Sequence, residues 1–94
     1  MIEWTEGGVE QLDWALEYIT VSNSEAIARR VVDRILSSVE QLARFPKSGR
    51  PGRVSGTREL VISKTPFIAS YTVQKARIVV LAIYHGAQRW PEQL

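Results

Sequence analysis

The sequence predicts an α+β protein of element order βααβββ, with an antiparallel sheet and an α-helical hairpin packed on one sheet face. Two stretches with apolar residues at helical spacing fill most of residues 5–45, and three strand-like runs follow residue 57. Between them, residues 46–56 hold two prolines and three glycines, which predicts a loop. A chain of 94 residues has room for one domain, which we assign to 1–94.

The first helix is predicted to follow a short strand at residues 1–4, with Thr5 as its N-terminal cap. One apolar face recurs at helical spacing: Val9, Leu12, Leu16 and Ile19. An acidic stripe runs beside it: Glu6, Glu10, Asp13 and Glu17. Like charges at this spacing cost about 0.2–0.5 kcal/mol a pair. The stripe is therefore either a solvated face or a contact for a basic partner. Trp14, off the apolar face, is a packing residue or part of an interface.

The second helix is predicted to begin at a capping box formed by Ser22 and Glu25. It should run to about Phe45, because Pro46 ends it. A short connection joins the two helices, so they should pair as an antiparallel hairpin. The apolar arc of this second helix is wide enough to contact both the first helix and the sheet: Ala28, Val31, Val32, Ile35, Leu36, Val39, Leu42 and Ala43.

Three strands are predicted at 58–63, 67–73 and 78–84. Short polar connections separate them, so neighbouring strands should form antiparallel hairpins. The last run is apolar without a break over 78–83, which places it in the centre of the sheet with both faces covered.

Composition excludes several classes of chemistry. The chain has no cysteine, so disulfides, thiolate metal sites, iron–sulfur clusters and cysteine nucleophiles are excluded. His85 is its one histidine, which rules out a multi-histidine metal site and a two-histidine ribonuclease mechanism. No metal or other cofactor is expected. No apolar run reaches the length of about 20 residues that a membrane span needs, and the N-terminus does not resemble a secretion signal. We therefore expect a cytoplasmic protein.

Charge is divided between the two halves of the chain. Residues 1–43 carry eight acidic and three basic side chains, whereas residues 44–94 carry nine basic and two acidic ones. The second half, with a net charge of +7, favours a polyanionic partner. Residues assigned to nucleic-acid binding on this basis are Arg50, Arg53, Lys64 and Arg89. The alternative is a set of separate, solvated cations.

Metal-free RNA cleavage is the catalytic chemistry that these residue types allow. It needs a general base, a general acid and cations that stabilise charge on the transferring phosphate. Glu59 or His85 is the candidate base, Arg58 and Arg77 stabilise charge, and Tyr84 or His85 is the candidate acid. Strand alternation places Arg58 and Glu59 on opposite sheet faces, and it separates Tyr84 from His85 unless the strand has ended. The complete set therefore cannot point into one site.

Four segments together resemble the RelE/ParE superfamily of toxins from bacterial type II toxin–antitoxin modules. They are residues 41–46 (QLARFP), 49–61 (GRPGRVSGTRELV), 66–68 with Tyr71, and 85–91 (HGAQRWP). The resemblance covers nearly the whole chain and implies the same βααβββ fold.

The superfamily contains two activities. RelE-like members cut mRNA in the ribosomal A site without a metal, and ParE-like members poison DNA gyrase and are not nucleases. Arg58, Arg77 and the pair Tyr84-His85 resemble the arginines and the His-Tyr ending of YoeB-type ribonucleases. The helical hairpin resembles that of ParE toxins, and the lysine cluster of RelE is absent. The arginine-rich half leads us to predict ribosome-dependent mRNA cleavage, with gyrase inhibition as the alternative and a non-toxic basic interaction module as a third interpretation.

The resemblance also implies partners. A cognate antitoxin from the neighbouring gene should place acidic side chains against the basic half as it folds on binding. The cellular target is then the ribosome with its mRNA or, alternatively, DNA gyrase. We expect the free toxin to have an apolar groove beside the helical hairpin, because the apolar arc of the second helix is so wide.

Overall fold

A computed structural model of the protein describes residues 1–86. The elements are β1 (Ile2–Trp4), α1 (Glu6–Ser22), α2 (Glu25–Glu40), a 3₁₀ turn (Gln41–Ala43), β2 (Arg50–Pro51), β3 (Arg58–Val61), β4 (Phe67–Gln74) and β5 (Arg77–His85). Arg89, assigned above to nucleic-acid binding, lies outside the described residues. Neither α1 nor α2 has the length and apolar character of a membrane-spanning helix.

The sheet has five strands in the order β1-β5-β4-β3-β2, with two helices packed against it, which confirms the predicted α+β fold. It is mixed rather than wholly antiparallel, because β1 pairs in parallel with β5. The β4–β5 hairpin leaves one edge of β5 open, and β1 occupies that edge. A two-residue strand, β2, also forms inside the segment predicted to be only a loop. Pro51 is tolerated there because β2 is an edge strand.

The helix starts follow capping chemistry. The Thr5 hydroxyl accepts a hydrogen bond from the Gly8 N–H at 3.0 Å, as predicted. The cap of α2 lies two residues later than predicted, since α1 continues through Ser22 and the cap of α2 is Ser24. The Ser22 hydroxyl instead donates back to the Tyr18 carbonyl at 2.7 Å. α2 ends at Glu40, and the 3₁₀ turn carries the chain close to the predicted end.

The core lies between the helical hairpin and one sheet face. Buried residues from both layers form it: Ala15, Ile19, Ala28, Ile35, Val39, Ile62, Phe67, Ala69, Val80 and Ile83. The buried face of α1 is rotated from the predicted one: Ile19 is buried and Leu12 and Leu16 pack against the core, but Gly8 and Ala15 are also buried and Val9 is 45% exposed. The buried arc of α2 is narrower than predicted, since Leu36 and Ala43 are exposed.

A β-bulge in β5 decides which way its last residues point. Ser70 pairs with Ala82 and Tyr71 pairs with Val80, so Leu81 is an extra residue in β5. As a result Val80 and Ile83 both contact the helices. Because side chains alternate along a strand, Tyr84 faces away from the helices and His85 faces them. We call the sheet surface away from the helices the open face.

Candidate functional site

A buried tyrosine holds the loop that joins the helices to the sheet. The Tyr71 hydroxyl donates to the Pro46 carbonyl at 2.8 Å and accepts from the Gly49 N–H at 2.9 Å. Gly49 is buried against this ring, and a Cβ at that position would lie 2.6 Å from the hydroxyl oxygen. Only glycine fits so close to the ring. The Tyr71 hydroxyl therefore fixes the path of the loop from Pro46 to Gly49.

The Arg58 guanidinium also holds this loop. Its Nη1 donates to the Gly49 carbonyl at 2.6 Å and to the Lys47 carbonyl at 3.3 Å. Arg58 pairs with Tyr71 in the sheet, so the two side chains share the helix side. The candidate charge stabiliser thus binds main-chain oxygens of its own chain.

Glu59 lies on the opposite, open face, as alternation predicted, and is only 3% exposed. Its Oε1 accepts from Arg50 Nε at 3.2 Å and Arg50 Nη2 at 3.1 Å. Its Oε2 accepts from the Arg53 main-chain N–H at 3.0 Å. Because β2 and β3 place Arg50 directly opposite Glu59, the contact is built by the sheet register. Both carboxylate oxygens are occupied in holding the loop.

Tyr84 is buried on the open face, in the strand position opposite Ile68. Burial raises the pKa of the Tyr84 phenol above its ordinary value of 10.0, and the negative charge of Glu59 raises it further. A phenol with a raised pKa releases its proton less readily, which weakens it as a general acid near neutral pH.

His85 lies on the helix side. Its ring packs edge-on against Phe67, with centroids 5.5 Å apart and an interplanar angle of 80°. It lines a groove of about 240 Å³ between the helical hairpin and the sheet, together with Tyr18, Ile27 and Val31. The groove lies beside the hairpin, where the sequence led us to expect an apolar one, and polar Ser22 and Asn23 line it as well.

Arg77 and Lys64 lie at opposite ends of the sheet. Arg77 begins β5, where its Nη1 is 2.9 Å from Glu3 Oε2 and its Nη2 donates to Gln74 Oε1 at 3.1 Å. Lys64 lies in the turn between β3 and β4, with φ 63°. The end of β4 that follows this turn pairs with His85. At about 3.3 Å per residue, Arg77 and His85 are separated by roughly 25 Å along β5.

The structure thus brings some of the candidate residues together and leaves others apart. Arg50, Arg53, Arg58 and Glu59 converge on the loop, a region that we call the basic corner. Arg77, Tyr84 and His85 lie away from one another, at the two ends or on the two faces of β5. Among residues 1–86, no three acidic or histidine side chains are grouped as metal ligands.

Sequence reasoning missed two features of the surface. Tyr71 was noted only as part of the resemblance, although its place in a strand near a glycine-rich loop is what fixes that loop. Trp14 and Tyr18 stack on the outside of α1, with centroids 5.2 Å apart and planes within 4°. Their four-residue spacing places them side by side on a helix and is visible in the sequence.

Comparisons with known proteins identify the chain as a type II toxin of the RelE/ParE superfamily, as the resemblance predicted. The family model described as "ParE toxin of type II toxin-antitoxin system, parDE" matches residues 2–90. The chain therefore belongs to the ParE toxin family.

Individual relatives agree with this assignment. The protein named "Putative toxin Y4kP", from Sinorhizobium fredii (strain NBRC 101917 / NGR234), is 41% identical over 93 residues, which cover 99% of this chain and 95% of the relative. A structure of a chromosomal ParDE system from P. aeruginosa superposes with a TM-score of 0.82 at 28% identity, over 89% of this chain and 92% of that one. The solution structure of the conserved hypothetical protein HP0894 from Helicobacter pylori has a TM-score of 0.53 at 13% identity, over 87% and 89% of the two chains, and shares the fold.

Proposed function

We propose that this ParE-family toxin stops growth by inhibiting DNA gyrase, without cutting RNA, and that a cognate antitoxin neutralises it. The observation that carries the proposal is the separation of the candidate catalytic side chains. Arg77 and His85 lie roughly 25 Å apart along β5. Tyr84 and His85 lie on opposite faces of the sheet.

Metal-free cleavage of RNA needs a base, an acid and cations within hydrogen-bond reach of one phosphate. The Glu59 carboxylate is occupied by Arg50 and by the Arg53 N–H, and the pKa of Tyr84 is raised. Glu59 and Tyr84 share the open face, but Arg58 and His85 lie on the helix side and Arg77 lies at the other end of β5, so the set does not surround one phosphate. The arrangement is better suited to binding a macromolecule than to acid–base chemistry.

The family assignment supports gyrase as that macromolecule, because ParE-like members of the superfamily act on gyrase. The P. aeruginosa structure is of a ParDE toxin–antitoxin system, which supports a cognate antitoxin for this chain as well. An acidic segment of that antitoxin would contact the basic corner, where the Arg50 side chain is 55% exposed although it is paired with Glu59.

Two assays on the purified toxin test the proposal. We expect it to stop supercoiling of relaxed plasmid by DNA gyrase, and the antitoxin from the neighbouring gene to restore supercoiling. Ribosomes translating a defined mRNA should leave that mRNA intact in the presence of the toxin. Ribosome-dependent cleavage, with gyrase unaffected, would overturn the proposal in favour of the nuclease alternative.

Variants sharpen the test. General acid–base groups contribute about 10²–10⁴-fold to a rate, so replacing a catalytic one would slow RNA cleavage by about that factor. We expect Tyr84→Phe and His85→Gln to inhibit gyrase about as strongly as the parent protein, since both changes keep a side chain of similar shape. If both folded variants inhibit gyrase like the parent but no longer arrest growth, toxicity depends on these side chains and not on gyrase, and the proposal is overturned.

A further inference from the structure

We propose that the outer side of α1 is a docking surface for a basic, amphipathic helix of a protein partner, separate from the basic corner. Three large apolar side chains on this side lie in solvent. Trp14 and Tyr18 are each 47% exposed, and Val21 is 87% exposed. They follow one another at four- and three-residue spacing, so they form one stripe on the helix. This outer α1 surface consists of Trp14, Tyr18 and Val21 with the acidic stripe defined above.

The aromatic part of the surface is already ordered. Trp14 and Tyr18 stack in parallel, with centroids 5.2 Å apart. A hollow of about 330 Å³ next to them is lined by Val21, Glu17 and Ser22. Because the rings hold each other in place, a partner loses little side-chain entropy when it packs on them. Tryptophan and tyrosine are also the residues that most often dominate binding at protein interfaces.

Charge identifies the partner chemistry. The acidic stripe Glu6, Glu10, Asp13 and Glu17 lies on the side of α1 opposite the buried Ala15, adjacent to the aromatic stripe. All four carboxylates are exposed, and within residues 1–86 none of them forms an ion pair. Their mutual repulsion costs free energy in the unbound helix. A partner with lysines or arginines flanking an apolar strip relieves that repulsion and covers the rings.

The same charges exclude other occupants. A second copy packed symmetrically on the same surface would bring one acidic stripe against another, and a nucleic acid would bring phosphates against carboxylates. A helix that places apolar residues at i, i+3 or i+4 and i+7 matches the spacing of Trp14, Tyr18 and Val21. The proposal is independent of the cellular target, because it concerns residues outside the basic corner.

The test uses a synthetic helical peptide with leucines at i, i+4 and i+7 flanked by lysines, titrated into the intact toxin by calorimetry. We expect saturable one-to-one binding that weakens as salt is added. The double variant Trp14→Ala/Tyr18→Ala should lose about tenfold in affinity or more, as for hot-spot residues. Phe45→Ala is the matched control, because Phe45 is an exposed aromatic residue (58%) away from α1.

A second pair of variants separates charge from packing. Glu10→Lys/Glu17→Lys should also weaken peptide binding by about tenfold. Asp33→Lys/Glu40→Lys makes the same change in net charge on α2 and should leave the affinity unchanged. Circular dichroism establishes that each variant is folded. Equal affinity for all variants, no binding to the parent toxin, or equal binding of an acidic peptide with the same leucines would each overturn the proposal.

Discussion

Gly49 is a residue whose surroundings leave little room for a side chain. A Cβ there would lie 2.6 Å from the Tyr71 hydroxyl and 2.9 Å from the Glu59 carbonyl oxygen. We expect Gly49→Ala to lower the free energy of unfolding by about 1–3 kcal/mol, because overpacking displaces the ring or the strand. Urea denaturation measures the change.

The control for this change is Gly7→Ala in the first turn of α1. A Cβ at Gly7 meets neighbours only at ordinary contact distances of 3.8 and 3.9 Å. Alanine also favours a helix by about 0.5–1 kcal/mol relative to glycine, so this variant should be at least as stable as the parent. Equal stability of the two variants would mean that the loop yields around Gly49.

Tyr84 gives the protein a dependence on alkaline pH. The pKa of its phenol is raised in the folded state, so the folded protein holds this proton more tightly than the unfolded chain does. The resulting stability is complete below the ordinary pKa of 10.0 and is lost as pH rises from there through the folded value. Tyr84→Phe removes this contribution. Thermal unfolding at pH 8 and above pH 10 should show a smaller loss of Tm for the variant than for the parent; equal losses would contradict the assignment.

The sequence predicts local features, such as a helix cap or the face on which a strand residue lies, better than it predicts contacts between side chains. The Thr5 cap and the opposite faces of Arg58 and Glu59 follow from local chemistry and alternation, and both are present. The Arg50–Glu59 pair depends on β2, a two-residue strand that no local pattern marks. The two residues are only nine positions apart, but predicting their contact requires the path of the loop that joins β2 to β3.

At the scale of elements, α1 is tied to β5 beyond the end of β1. The Thr5 hydroxyl donates to the Leu81 carbonyl at 3.1 Å, and the Ile83 N–H donates to Gln11 Oε1 at 2.7 Å. Leu81 is the bulged residue and Ile83 lies two positions further on, both past Val80, the last residue that pairs with β1. The helix side chains thus complete the hydrogen bonding of the bulged strand.

Gln11→Ala should therefore destabilise the protein. It leaves the N–H of the buried Ile83 without its acceptor, which costs about 1–3 kcal/mol. Thermal unfolding measures the effect, and hydrogen exchange at Ile83 should speed up. Glu10→Ala, one residue earlier on the solvent side of α1, is the control and should change stability little. A stable Gln11→Ala variant with slow exchange at Ile83 would show that the bond is not needed.

Helices and strands were predictable because their periodicity is local. The positions of α1, α2 and the last three strands follow from apolar spacing and from Pro46. The bulge at Leu81 was not predictable, since residues 78–83 are apolar without a break and give no alternation to interrupt. The bulge decides which of the last residues of β5 face the helices. Only the structure therefore shows on which sheet face Tyr84 and His85 each lie.

At the scale of the whole molecule, acidic and basic side chains are concentrated on different parts of the surface. The acidic stripe is on the outer side of α1, and the basic corner is on the loop at the far edge of the sheet. We expect Arg53→Glu to slow association with the antitoxin by about tenfold at low salt, because electrostatic attraction steers encounter. Arg30→Glu, an exposed change on α2 with the same charge difference, should have a smaller effect.

Surface plasmon resonance at two salt concentrations separates these rates. The difference between the two variants should shrink at high salt, where such attraction is screened. Equal slowing by both variants would mean that only net charge matters and that the antitoxin does not approach the basic corner first.

The margins of the sheet have a consequence for how the protein behaves at high concentration. β1 offers three residues at one margin and β2 offers two at the other, one of which is Pro51. Such short margins give another chain little backbone to pair with, and proline has no N–H to share. Within residues 1–86, β1 and β2 therefore offer molecules of the free toxin little means of joining strand to strand at these two margins, and we expect neither strand to seed fibrils on crowding.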